Sequence, residues 1–213
     1  SFLQNINNKN NNRNFVIKNP AGEHAICAGL KEEMSILIKG HVGYYCGGMN
    51  QKANITVDGN AGTGLGENMM SGTIHVKGNT SQSTGATAHG GTIIIDGDAS
   101  SRCGISMKGV EIIVKGSVGH MSAFMAQAGT LLVCGDAGEA LGDSIYETVI
   151  YLAGTPKSLG VDCVEKKITK NDLKKIENLI KIGNIKKLKP HNFKKFGSAR
   201  KLYNFNIDNV SEY

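Results

Sequence analysis

The chain has 213 residues, 28 of them Gly, 3 Pro and none Trp, with 24 Lys plus Arg against 18 Asp plus Glu. That length fits one domain with an appendage at most, and no apolar run approaches the roughly 18 residues of a membrane span. The basic excess is local: residues 165–201 hold 13 Lys/Arg and 3 acids, and all other residues together are acidic by four, which argues against a nucleic-acid-binding body.

In chain order, residues 1–14 form an Asn-rich N-terminus with few apolar anchors, predicted to be loosely held. They lack the basic patch, apolar stretch and small-residue cleavage site of a secretory signal, so a cytoplasmic location is expected. Phe15 to Gly22 then read as a degenerate first coil, because Cys27 falls one repeat before Cys46.

A repeat of 19 residues follows. Gly40, Gly59, Gly78, Gly97, Gly116, Gly135 and Gly154 stand 19 apart without insertion or deletion. Four residues before each glycine stand Ile36, Ile55, Ile74, Ile93, Ile112, Leu131 and Ile150, and two before it comes another aliphatic residue in every unit. This period of two with β-branched residues is a strand buried on one face. A second glycine column follows seven residues on, at Gly47, Gly66, Gly85, Gly104 and Gly142, with Ala123 as its exception. One strand and a glycine turn cannot bury their own apolar edge, so the units must stack. Only coils of matched length keep like residues in register at about 4.8 Å. The predicted fold is an all-β, single-stranded parallel β-helix of seven to eight coils over residues 15–164, with the seven repeating glycines as structural corners.

Three residues before each of those glycines, where a strand should point outward, the later units carry Ile94, Ile113, Leu132 and Tyr151. This apolar ridge needs a cover, either another subunit, which would make it a partner-facing ridge, or the chain's own C-terminal segment. Residues 165–213 are Lys-rich and Gly-poor and are read as a helical strap. Thr169 with Asp172 opens a helical pattern through Leu173, Ile176, Leu179 and Ile180 that ends near Gly183. Pro190 with Phe193 to Phe196 suggests a second short helix, followed by Ala199 to Phe205. The strap either covers the ridge or grips an acidic partner surface. Nucleic acid fits it poorly, since Lys supplies nearly all of its charge.

No catalytic signature emerges. Ser122, His120 and Asp143 can be written as a nucleophile, base and acid, but nothing in their spacing singles them out. The six histidines do not pair at ligand spacings, and the five cysteines contain no Cys-x-x-Cys, which predicts reduced, mostly buried thiols. Gly62-Thr-Gly-Leu-Gly66 has no βαβ context and is not read as a dinucleotide site. Catalytic, cofactor-binding and metal-binding residues are therefore all expected to be absent. The methionines at 49, 69, 70, 107, 121 and 125 are read as adaptable packing, internal or against a partner.

The strings His41 to Asn50, Glu67 to Gly72, Cys103 to Gly109 and Gly119 to Gly129 resemble the GXGXG domain of the large subunit of glutamate synthase. Gly142-Asp-Ser-Ile-Tyr-Glu147 and Phe196-Gly-Ser-Ala-Arg200 are similar to the free-standing version of that domain in N-methylglutamate synthase. The resemblance, from about residue 15 to the end, implies a right-handed coil and a noncatalytic subunit of a hetero-oligomer. An amidotransferase-like subunit and a synthase subunit carrying FMN and an iron–sulfur cluster would be its partners, with neither cofactor in this chain. The implied reaction converts L-glutamate and methylamine to N-methyl-L-glutamate and ammonia. A subunit of a split glutamate synthase, a β-helix like the one in formylmethanofuran dehydrogenase, and a self-associating β-helix scaffold are the alternatives.

Overall fold

The structure, a computed structural model, describes residues 13–200. The Asn-rich residues 1–12 and the end of the strap from residue 201 on lie outside the described residues. Eight strands stack in chain order as parallel rungs: β1 (Asn14–Lys18), β2 (Ser35–Lys39), β3 (Asn54–Asp58), β4 (Thr73–Val76), β5 (Thr92–Ile95), β6 (Lys108–Val114), β7 (Ala128–Val133) and β8 (Val149–Leu152). The chain is an all-β solenoid of about seven turns. Its register is that of the repeat, with Ile36 beside Ile55, Ile55 beside Ile74, Ile74 beside Ile93 and Ile93 beside Ile112. The first coil is longer, because Phe15 pairs with Ile36 at a spacing of 21 residues. The excess falls at the corner Asn19 to Gly22, where Asn19, Ala21 and Gly22 all have positive φ.

The interior is a set of aliphatic rows. Ile55, Ile74, Ile93, Ile112 and Leu131 line one row, and Ile38, Val57, Val76, Ile95, Val114 and Val133 line the next, all excluded from solvent. Burial of each such side chain contributes about 1.5–3 kcal/mol. A second, single-residue ladder runs through Val42, Ala61, Thr80, Ala99, Val118 and Ala137 at the next corner.

The two glycine columns do different work. Of the seven repeating corner glycines only Gly40 has positive φ, at 134°. The others are glycine because coils touch there: a Cβ on Gly59 would lie 2.5 Å from the Gly40 carbonyl oxygen, and one on Gly97 only 2.1 Å from Asn79 Oδ1. In the second column left-handed backbone favours glycine and the interior leaves no room for a side chain: a Cβ on Gly85 would lie 2.6 Å from Ile112 Cδ1. Gly85 has φ +67°, and its neighbours two residues away, Ser83 and Thr87, are left-handed as well at 60° and 53°. The second half of each coil is thus not a weak strand. It is a run of tight turns in which every other residue is left-handed, Tyr45, Gly47 and Met49 in one coil and Gly64, Gly66 and Asn68 in the next. Non-glycine residues there carry a conformational cost of about 1 kcal/mol each, sustained by backbone hydrogen bonds to both neighbouring coils, such as Tyr45 N–H to Thr63 O and Gly47 N–H to Ile26 O.

The stack ends in a different geometry. After β9 (Cys163–Lys166) the helix α1 (Lys170–Ile182) crosses the outer face of the sheet, and β10 (Lys194–Ser198) returns antiparallel between β8 and β9. The second short helix expected around Phe193 to Phe196 is therefore corrected to a 3₁₀ turn at Pro190–Asn192 followed by this strand. The open edge of β8 presents unpaired backbone groups, and an extended segment satisfies them where a helix could not.

Candidate functional site

The outer ridge is the first surface that the sequence singles out, and the structure corrects its partner-facing reading. Ile94, Ile113, Leu132 and Tyr151 are buried under the chain's own Ile176, Leu179 and Phe193, with Ile180, Ile185 and Leu188 packed at the margin. A 13-residue helix is about 20 Å long, enough to span the four rungs that carry the ridge at about 4.8 Å each. The N-terminal end of α1 meets Tyr151, and Gly183 at its C-terminal end lies against Ile113. Leu173, expected on the inner stripe, is instead exposed at the flank.

One carboxylate fastens this cover. Asp172 is the third residue of α1 and closes a capping box with Thr169: its Oδ2 accepts from the Thr169 amide and hydroxyl, each at 2.7 Å. Its Oδ1 accepts from Tyr151 Oη at 2.7 Å and pairs with Lys195 Nζ at 2.8 Å. One buried side chain so ties together α1, β8 and β10. Burial by itself would raise the Asp172 carboxyl, but the bonds from Lys195, Thr169 and Tyr151 outweigh it and hold the group well below the usual carboxylate range. Burial, and then the bond to Asp172, push the Tyr151 phenol upward. The arrangement anchors; its members are all engaged with one another, and the phenol is buried beneath the helix.

Two outer ladders escaped the sequence reading. One residue after each corner glycine, a polar side chain accepts from the backbone N–H of the next coil. His41 Nδ1 bonds Asn60 N at 2.9 Å, Asn60 Oδ1 bonds Asn79 N at 2.8 Å, Asn79 Oδ1 bonds Asp98 N at 2.8 Å, and the chain continues through Ser117 and Asp136 to Thr155. These side chains occupy the space left by the glycine above them, so the two columns interlock. One residue before the glycines the sequence alternates in sign, Lys39, Asp58, Lys77, Asp96 and Lys115. Lys77 pairs with Asp58 at 3.5 Å, and Asp96 with Lys115 at 2.7 Å and with His75 at 3.0 Å. The first column is polar in every unit and the second in the first five, ending in Cys134 and Ala153 beside the covered ridge, but outward polar residues carry no signal until their partners are known.

The candidate trio is not brought together. Ser122 is buried and its Oγ donates to the Gly119 carbonyl; Asp143 accepts from Ser144 Oγ and the Val161 amide; His120 is exposed. The thiols are free and four of the five are buried. Burial pushes Cys27 and Cys103 up to about 12, and Cys134 and Cys163 to about 11. Among the described residues no three His, Cys, Asp or Glu side chains converge on a metal site, and no helix is long and apolar enough to cross a membrane. The Gly62 to Gly66 string is structural: Gly64 and Gly66 are left-handed turn positions, and Gly62 lies against the backbone of Gly43. The methionines split, Met69 and Met107 filling the interior and Met49, Met70 and Met125 standing exposed along the turn edge with Tyr44 and Tyr146.

The GXGXG motif family matches residues 3–207, which takes in both the coils and the cover. The chain belongs to the GXGXG-motif family. It is also 53% identical over 211 residues to Protein GlxC of Rhizobium meliloti (strain 1021), an overlap spanning 99% of this chain and 92% of that relative. The chain is thus a glutamate synthase-like GXGXG subunit. Its family membership extends over the coils that form the solenoid and the segment that carries α1 and β10.

Proposed function

We propose that this GXGXG chain is a noncatalytic structural subunit of N-methylglutamate synthase, bridging an amidotransferase-like subunit and a synthase subunit that holds FMN and an iron–sulfur cluster. The assembly would convert L-glutamate and methylamine to N-methyl-L-glutamate and ammonia. The observation that supports this reading is the division of the molecule into filled, bonded layers. The interior rows are solid side chain, the ridge is sealed by α1, and the candidate nucleophile and acid make their bonds elsewhere while the candidate base His120 stands exposed. A rigid prism of that kind sets a distance between partners and offers surfaces, and fold by itself assigns no chemistry. The exposed Tyr44, Met49, Met70, Met125 and Tyr146 on the turn edge supply the adaptable apolar contacts that a partner needs.

Reconstitution tests this. The chain purified alone should fold and show no turnover, and flavin should be recovered only when the synthase subunit co-purifies with it. The reconstituted complex should release ammonia from glutamate plus methylamine. Turnover instead with 2-oxoglutarate plus glutamine would replace this reading with a split glutamate synthase, and turnover by the chain alone would overturn the noncatalytic role.

A further inference from the structure

The layer that seals the ridge has an outer side, and its charge is one-sided. On α1 the inward positions Asp172, Ile176 and Leu179 place Lys170, Lys174 and Lys181 on the opposite face of the helix. In the segment that returns beneath it, Ile185 and Leu188 pack toward the ridge, while Lys186, Lys187 and Lys189 between and after them are exposed. The acids of the segment are already engaged: Glu165 pairs with Lys194, Asp172 with Lys195, and Glu177 with Lys181. The two ion pairs that reach from the strap to other parts of the chain, Lys175 to Glu111 and Arg200 to Asp162, neutralise other residues. Among the described residues of the strap, Lys166 and Lys167 at the end of β9 remain without a carboxylate, as do Lys170, Lys174, Lys186, Lys187 and Lys189 on this layer, whose shape is fixed by the packing below it.

We propose that this outer lysine layer is the electrostatic docking surface for a carboxylate-rich face of a partner subunit. The inference rests on the complex reading above and adds to it the surface used and the charge of the face that meets it. A cationic face of this kind raises the rate of encounter with an anionic one more than it raises affinity. A protein face suits it better than nucleic acid, since the five cations of the layer are all Lys and, among the described residues, no exposed Phe, Tyr or Trp stands among them, so neither bidentate forks nor large base-stacking platforms are offered. It also suits a protein better than a lipid surface. The apolar residues of the layer are turned onto the ridge, with only Leu173 and Ile182 exposed at its flanks, so no apolar stripe is presented for insertion.

The test measures association of the full-length chain with the amidotransferase-like and synthase subunits between 50 and ~500 mM NaCl, a range that crosses from weak to strong screening. A variant with all five lysines changed to Gln should associate with one of the two subunits about 10-fold more slowly at low salt. Its dissociation rate should change little and its circular dichroism not at all. The five-Arg variant should keep the wild-type rate, and a control with Lys31, Lys39 and Lys52 changed to Gln should behave as wild type. Wild-type association that is salt-independent and unaffected by the five Gln substitutions would overturn the docking surface while leaving the complex reading in place. Failure of the wild-type chain to associate with either subunit would overturn the complex reading, and this inference with it. Loss of binding to a 20-nucleotide RNA or to phosphatidylserine vesicles in the Gln variant, without loss of subunit binding, would also overturn it.

Discussion

The stack of coils and the cover laid over it are held by different physics. In the stack every rung repeats the last, so its stability is distributed over aliphatic rows, glycine contacts and polar ladders, none decisive alone. The cover occurs once. It is fastened by its apolar contact with the ridge, by the pairing of β10 with β8, by the Lys175–Glu111 and Arg200–Asp162 ion pairs, and by one carboxylate that three elements share. Repetition makes a region tolerant of local loss, whereas a single node concentrates the consequence of losing it.

The largest expected effect follows at that node. Asp172→Ala leaves Lys195 without its counter-charge in a mostly buried site, and breaking such a pair costs about 3–5 kcal/mol. Amide exchange should speed up across α1 and β10 while β3 to β6 keep their protection. Loss of protection throughout the stack would show that the two regions form one cooperative unit. Gly59→Ala probes the other side of the comparison. The added methyl meets only backbone of the preceding coil, within 2.5–2.9 Å, a clash that costs about 1–3 kcal/mol. That cost should appear in thermal unfolding of the whole stack.

Acid should separate the regions too. The folded Asp172 carboxyl lies below its ordinary value of 3.8, so its contribution is complete above that pH and is lost as pH falls toward the lower folded value. The Tyr151 phenol is shifted the other way from 10.0, so its share is complete below that pH and declines as pH rises beyond it. Attachment of the cover, followed by exchange protection of α1 from pH 2 to about 11, should therefore be strongest on the plateau between. Asp96 in the stack is also lowered: burial opposes the shift, and bonds from Lys115 and His75 outweigh it. It lies near the surface, where such pairs contribute little, and the stack should respond less to acid. The smallest effect is expected for Asn79→Ala, which removes one acceptor of the outer ladder and should cost about 0.5–1.5 kcal/mol in denaturant unfolding.

The stack was legible in advance because its signal is multiplied. Seven glycines at one spacing, with Ile or Leu at a fixed distance before them, admit few packings other than coils of equal length. The reason for the glycines was only half legible. Contact between coils explains Gly59 and Gly97, and left-handed backbone pressed against the Ile112 side chain explains Gly85, but both appear in the sequence as the same letter. The alternation of left-handed residues was hidden because Tyr45, Thr87 and Met49 occupy positions whose strain is sustained by bonds to neighbouring coils. The candidate trio illustrates the opposite case, since composition allows a nucleophile, a base and an acid to be named where geometry gives Ser122 and Asp143 other partners and leaves His120 exposed.

The sequence by itself determined the repeating coil, its length and register from β2 onward, and the helix capped by Thr169, because period and capping are local properties repeated or signalled within a few residues. Only the tertiary structure decided that the ridge is closed by the chain's own helix, that residues 194–198 form an antiparallel strand, and that Asp172 joins three elements. Those outcomes depend on which edge and which face remain open once the stack has formed, and neither exists until distant segments have met.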